Sequence, residues 1–256
     1  MVSRYAFLRS PLWIAGIAIA LVTAVAFVNL GLWQLRRLDE RRAVNATIEE
    51  RSAGDPVRLG VAVATYGDDP EALVHRRVLV SGQYDPSAEV MVVGTTRNGR
   101  SGHDVITPLT IEGGAVAVNR GWVPIDTAGP PAVGAAPPTG TVEVAGVLLE
   151  SQTSGSLGTP GADGTYAQVG RIDLAELSGQ WGDGLLGVFL LLEKQAPAGS
   201  ELPLPRPASD PSEGSHLAYA VQWFVFAAIA LVGFPILAMK NAKQRAPVEQ
   251  RFPPAS

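Results

Sequence analysis

Two charge-free apolar stretches bracket the chain. The first runs from Ser10 to Leu35, almost wholly apolar between Trp13 and Leu32, and the second from Leu217 to Met239. Each reaches the roughly twenty residues that an α-helix needs to cross a hydrocarbon core. Aromatic side chains stand near their ends, Trp13 and Trp33 in the first and Tyr219, Trp223 and Phe224 in the second, as in an interfacial belt. After the first stretch, Leu35 to Arg51 contains neither Gly nor Pro and sets Leu35, Leu38, Arg42 and Asn45 at helical spacing, so the helix is expected to continue past the apolar run.

Beyond Asp55-Pro56 the pattern changes to short β-branched runs punctuated by Gly, Pro and Asp, which predicts strands and turns. The predicted strands are Arg77 to Tyr84, Glu89 to Thr95, Asp104 to Ile111, Ala115 to Asn119, Thr141 to Leu149, Tyr166 to Val169 and Gly187 to Glu193. Glu112-Gly113-Gly114 reads as a tight hairpin connection, which favours antiparallel pairing. A short helix is expected at Ile172 to Gln180. Asp126 to Gly140 and Ser151 to Gly164 read as loops, and Ala196 to Gly214 as a Pro-rich connector.

The expected fold class is therefore a membrane protein. Two transmembrane helices, N- and C-terminal, flank one extracytoplasmic, mainly antiparallel β domain (α+β), able to curl into a barrel. The boundaries fall at residues 1–10 for a cytoplasmic N-terminus, 11–35 for the first span, 36–215 for the β-rich domain, 216–239 for the second span and 240–256 for a cytoplasmic tail.

A secretory signal is the competing reading of the first stretch, because Arg4 and Arg9 precede it and Ala24-Val25-Ala26 resembles a cleavage site. The run continues past Ala26 to Leu35, longer than a signal core. The tail carries Lys240, Lys243, Arg245 and Arg251 against Glu249, so the positive-inside rule puts both termini in the cytoplasm. Arg36, Arg37, Arg41 and Arg42 disagree, lying on the outer side of the first span. The tail is given precedence because long domains translocate largely regardless of charge.

Composition narrows the chemistry. Of the 256 residues 46% are hydrophobic, high for a soluble chain and ordinary for one with membrane spans. A net charge of -4 without a basic face sets nucleic-acid binding aside. There is no cysteine, which excludes disulfides, thiolate metal sites and thiol nucleophiles. The three histidines, His75, His103 and His216, lack the spacing of a zinc-binding helix. Hydrolase-elbow and phosphate-loop motifs are missing. Gly182 to Gly187 matches G-x-G-x-x-G, but it follows a predicted helix and precedes a predicted strand, the reverse of a dinucleotide site. His103 and Asp104 are neighbours in a predicted strand and so point to opposite faces, which disfavours an acid/base pair.

Three segments carry a resemblance. Asn29-Leu30-Gly31-Leu32-Trp33-Gln34-Leu35-Arg36-Arg37-Leu38 closes the first span, Val118-Asn119-Arg120-Gly121-Trp122-Val123-Pro124 lies mid-domain, and His216-Leu217-Ala218-Tyr219-Ala220-Val221-Gln222-Trp223-Phe224 opens the second span. In this order, with Arg76-Arg77-Val78 before Gly82-Gln83-Tyr84-Asp85 and with Gly102 to Pro108, the pattern resembles the Surfeit locus protein 1 family, assembly factors of cytochrome c oxidase. The resemblance implies a non-enzymatic protein of a bacterial-type plasma membrane that helps mature the oxidase subunit holding haem a and copper. It also implies a candidate haem a ligand at the His opening the second span, here His216.

The residues themselves leave two readings of that position. His216, Ala220, Trp223 and Ala227 fall within a stripe of about 60°, with Tyr219 at its edge. The stripe either offers a shallow slot for a macrocycle with the imidazole on its iron, or packs on a partner helix, with Gly16, Ala20 and Ala24 as candidates. Arg120 either clamps a haem propionate or makes an internal ion pair or carbonyl contact that fixes a turn. Trp33 and Gln34 read as interfacial anchors, and Trp122 as core. Two other functional classes stay open. One is a permanent accessory subunit of the respiratory oxidase, and the less favoured one is a membrane-tethered hydrolase built on His103 and a nearby Ser.

Overall fold

The computed structural model describes residues 6–67, 69–182, 184–206 and 212–244. Arg4, Arg245 and Arg251, used above for orientation, and Asp183 of the glycine match lie outside them. The chain divides into two compact units, one formed by the residues through Ala46 together with those from Ser212 on, the other by the stretch between.

The first unit is a pair of helices. Helix α1, Pro11–Ser52, runs without a break through the predicted span and its predicted continuation, and helix α5, His216–Gln244, covers the second apolar stretch. Both are long and apolar enough to cross a bilayer by length and composition. Small residues set how closely they approach. Phe224 lies over Gly31 and Phe234 over Gly16, so that a Cβ on Gly31 would stand 2.7 Å from the Phe224 ring. Phe27 packs on Trp223 and Phe226, with ring centroids 5.4 and 5.7 Å away. Ala24, Ala220 and Ala227 are buried, as small-residue packing between apolar helices requires.

The second unit is built on one eight-stranded sheet. In chain order its elements are β1 (Val57–Arg58), α2 (Leu59–Tyr66), α3 (Pro70–Leu73), β2 (Arg77–Tyr84), β3 (Val90–Arg97), β4 (Arg100–Ile111), β5 (Gly114–Pro124), β6 (Thr141–Glu150), β7 (Gln168–Val169), α4 (Leu174–Trp181) and β8 (Leu185–Ala196). The strand order is β1-β2-β6-β8-β5-β4-β3-β7. An added pairing of β2 with β4, at Gln83–Thr110 and Tyr84–Leu109, links β2, β6, β8, β5 and β4 into a ring.

Alternation of side chains then separates two cores. Val78 and Val80, Val116 and Val118, Val142 and Val144, and Leu190 and Leu192 share one cluster with Leu59 and Ala62 of α2. The opposite faces give Ile106, Ala117 and Phe189 to a second cluster, covered by Leu174 and Leu177 of α4. Asp173 starts α4 by accepting a hydrogen bond from the Glu176 amide, and the Arg171 guanidinium holds its carboxyl below the usual range.

Three expectations need refinement or correction. The sheet is mainly antiparallel, as expected, but not wholly so: β1–β2, β3–β7 and β5–β8 are parallel. Strand direction cannot alternate all the way around a ring of five, so one parallel pair within it is unavoidable, and it is β5–β8. Residues 59–66, inside the region read as strands, form helix α2 instead, because Leu59, Ala62 and Val63 at helical spacing are taken up by the core. Finally, β5 continues to Pro124 rather than ending at Asn119, which places the Asn119-Arg120-Gly121-Trp122 segment inside a strand and not in a turn after one.

Candidate functional site

His216 is the first residue of α5, and its Nδ1 lies 2.8 Å from the Gln34 side-chain oxygen on α1. The antiparallel course of the two helices brings them level, as it does Gly16 and Phe234. An amide oxygen can only accept, so the imidazole donates from Nδ1, and in the neutral ring Nε2 then keeps the lone pair. Among the described residues Gln34 is the one hydrogen-bond partner of this ring. Gly214, with φ 71°, sits at the Nε2 edge, where a Cβ would stand 3.6 Å from Nε2 and 3.4 Å from Cδ2. Just before the helix, Glu213 accepts two hydrogen bonds from Arg42, at 2.9 and 3.0 Å. This pairing raises the Arg42 pKa and lowers that of Glu213.

The helical stripe of His216, Ala220, Trp223 and Ala227 faces α1: His216 meets Gln34, Trp223 meets Phe27, and both alanines are buried. Tyr219, at the stripe's edge, is 47% exposed. Gln34, expected as an interfacial anchor like Trp33, faces the imidazole. The signal for it was an amide near the end of the apolar run, a feature that Asn29 shares.

Arg120 lies in the sheet unit and is only 1% exposed. The register of β4 on β5 shifts there, with Val105 opposite Gly121 and Ile106 opposite Asn119, so Arg120 is the extra residue of a β-bulge. The Asn119 side chain accepts from the Gly121 amide at 3.0 Å, and Gly121 takes φ 125° with the Leu204 carbonyl only 2.2 Å from where a Cβ would be. The bulge sends the guanidinium inward. Its Nη1 donates to Glu89 at 3.0 Å and its Nη2 to the Ala135 carbonyl at 2.6 Å, while Glu89 also accepts from Thr107 and from the Ala132 amide. Burial lowers the Arg120 pKa, opposed by the Glu89 charge. An internal ion pair with a carbonyl contact, the alternative to a propionate clamp, is what the guanidinium makes.

The remaining candidate pair is not assembled. Asp104 is engaged by Arg206 and by Asn119, while the buried Nδ1 of the neighbouring His103 has no hydrogen-bond partner among the described residues. Trp122 is core, as expected. Among the described residues no group of three or more His, Cys, Asp or Glu could hold a metal ion.

The chain thus combines a sheet unit with two long apolar helices, each long and apolar enough to cross a bilayer, and a polar histidine-amide contact joins those helices. The chain belongs to the SURF1 family, whose family model matches residues 21–228. That family is known generally for cytochrome oxidase assembly factors. An uncharacterised SURF1-like protein of Mycobacterium bovis is 28% identical over 255 residues, covering 98% of this chain and 92% of its relative. A SURF1-like protein of Rickettsia felis is 24% identical over 228 residues, covering 87% and 96%. Surfeit locus protein 1 of Xenopus tropicalis is 29% identical over 150 residues, covering 52% and 48%.

Proposed function

We propose that the protein is a non-enzymatic assembly factor for a haem-copper cytochrome c oxidase, and that it assists maturation of the catalytic subunit by holding haem a transiently on His216. In this reading it resides in a bacterial-type plasma membrane with α1 and α5 as its two spans. Both termini are cytoplasmic, and the sheet unit, with its ring of five strands taken as a small barrel, is extracytoplasmic. The observation that carries the proposal is the held imidazole: Nδ1 is engaged by Gln34, and the residue facing the Nε2 edge, Gly214, carries no side chain.

The residues would suit a haem iron, since a neutral histidine held through its far nitrogen is a usual attachment for one. When bound, haem a would supply the iron that accepts the Nε2 lone pair. His216 binds and orients, Gln34 holds the ring, and the exposed ring of Tyr219 offers an apolar face beside it. Trp223 acts through packing on Phe27 and Phe226. Arg120, buried on Glu89, has no part in this site.

The test is the optical spectrum of detergent-purified protein, wild type and His216→Ala, from cells that make haem a. The expected outcome is a haem a spectrum in the wild type that is lost in His216→Ala. A colourless wild type overturns the haem role, and co-purification with mature oxidase after stringent washing would then identify an accessory subunit.

A further inference from the structure

We infer that Gln34 is a positioning residue that selects the tautomer of His216, holding the neutral ring with its proton on Nδ1 so that Nε2 is the one nitrogen able to bind a metal. The inference deepens the haem-binding proposal and rests on it for the identity of the ligand. Free imidazole side chains exchange between two neutral tautomers, and the hydrogen bond made by one nitrogen decides which is present. Here the 2.8 Å contact is to an amide oxygen, which has no proton to give, so in the neutral ring this contact is a hydrogen bond only with the proton on Nδ1.

The consequence is chemical. With Nε2 unprotonated, a dative bond from it forms without moving a proton, whereas in the other tautomer the ligand lone pair would lie on the nitrogen turned toward Gln34. Gly214 contributes in the same direction, because it puts no Cβ beside the Nε2 edge, and its φ of 71° is one that side-chain-bearing residues rarely adopt. Gln34 therefore does more than join two helices. A polar side chain at a helix seam that only needed a hydrogen bond could pair with either imidazole nitrogen, but this one faces Nδ1.

The experiment uses the full chain, haem-free, in detergent and labelled with nitrogen-15 histidine, at about pH 8.5, well above the ordinary imidazole range. The chain has three histidines, and the His216 signals are those lost in His216→Ala. Nitrogen shifts and one-bond proton couplings should show the proton of His216 on Nδ1 in the wild type. Gln34→Glu, which keeps an acceptor, should leave it there, and Gln34→Leu should move it wholly or partly to Nε2. Haemin titration should then be weakened about 10–100-fold in Gln34→Leu and far less in Gln34→Glu, the usual scale for loss of an outer-shell partner.

A wild-type proton on Nε2, or an Nδ1 proton unchanged in Gln34→Leu, overturns the inference. Both are read without haem. A wild type that binds no haem but carries the Nδ1 proton would sink the functional proposal and leave tautomer selection standing.

Discussion

His75 is held in the left-handed region at φ 69°, a conformation in which Asn is far commoner than most residues. Its amide donates to the Leu148 carbonyl at 2.8 Å, fixing the backbone between α3 and β2. Burial lowers the pKa of its imidazole, and the nearby Arg51 adds to the effect. The folded state thus binds a proton at His75 less readily than the unfolded chain. Stability from this source is complete above the ordinary imidazole value of about 6.5 and falls as pH drops toward the lowered folded value. His75→Asn is expected to leave stability near pH 8 within about 0.5 kcal/mol of wild type. It should also flatten the loss between about pH 7 and about pH 5, as followed by chemical denaturation across pH. At this scale the sequence disclosed residue types but not partners. His216 stood out as a histidine opening an apolar run, whereas nothing in the spacing told that Gln34, 182 positions away, would face it.

Among the elements, the longest-range consequence comes from the bulge in β5. One extra residue in a strand turns Arg120 inward onto Glu89, and Trp122 pairs through its backbone amide and carbonyl with Leu204, both at 2.8 Å. The Asn119-Arg120-Gly121-Trp122 segment is thereby a folding device, with Asn119 bracing the bulge, Arg120 filling the interior and Gly121 admitting the connector. A buried ion pair broken on one side leaves an unpaired charge in a poorly hydrated place. Glu89→Gln should therefore destabilise the sheet unit by about 3–5 kcal/mol, while Glu89→Met combined with Arg120→Met should recover most of that loss. Tryptophan fluorescence during denaturation of the full chain reads this out, and a single-variant cost below about 1 kcal/mol would place the pair with surface salt bridges instead. Each predicted strand corresponds to an observed one because β-branched runs and Gly or Pro breaks are local signals. The parallel β5–β8 pair and the bulge were illegible, since ring closure and register depend on strands far apart in sequence. Helix α2 was hidden by its Val and Thr content, which favours strands until Leu59 and Ala62 find the core.

For the molecule as a whole, the open question of sign is the arginine cluster after the first span, which opposes the orientation given by the C-terminal lysines. The structure gives two of these arginines acidic partners. Arg42 is paired with Glu213 through two hydrogen bonds and Arg37 with Glu40 at 2.8 Å, so half of the four arginines carry an acidic neighbour. Their exposure keeps these pairs from contributing much to stability, and because the positive-inside rule counts Lys and Arg and gives acidic residues little weight, the cluster still stands against Lys240 and Lys243. The absence of cysteine from the native chain makes orientation directly measurable, because a single introduced thiol is the sole target of a maleimide. Thr159→Cys, at an exposed loop position, should react with a membrane-impermeant maleimide in intact spheroplasts, and Gln244→Cys, exposed at the end of α5, only after lysis. The opposite pattern would place the sheet unit in the cytoplasm, on the wrong side for an oxidase cofactor site facing outward, and would remove the orientation on which the haem-transfer proposal depends. Reaction of both thiols in intact cells would mean that one of the two apolar helices does not cross the bilayer.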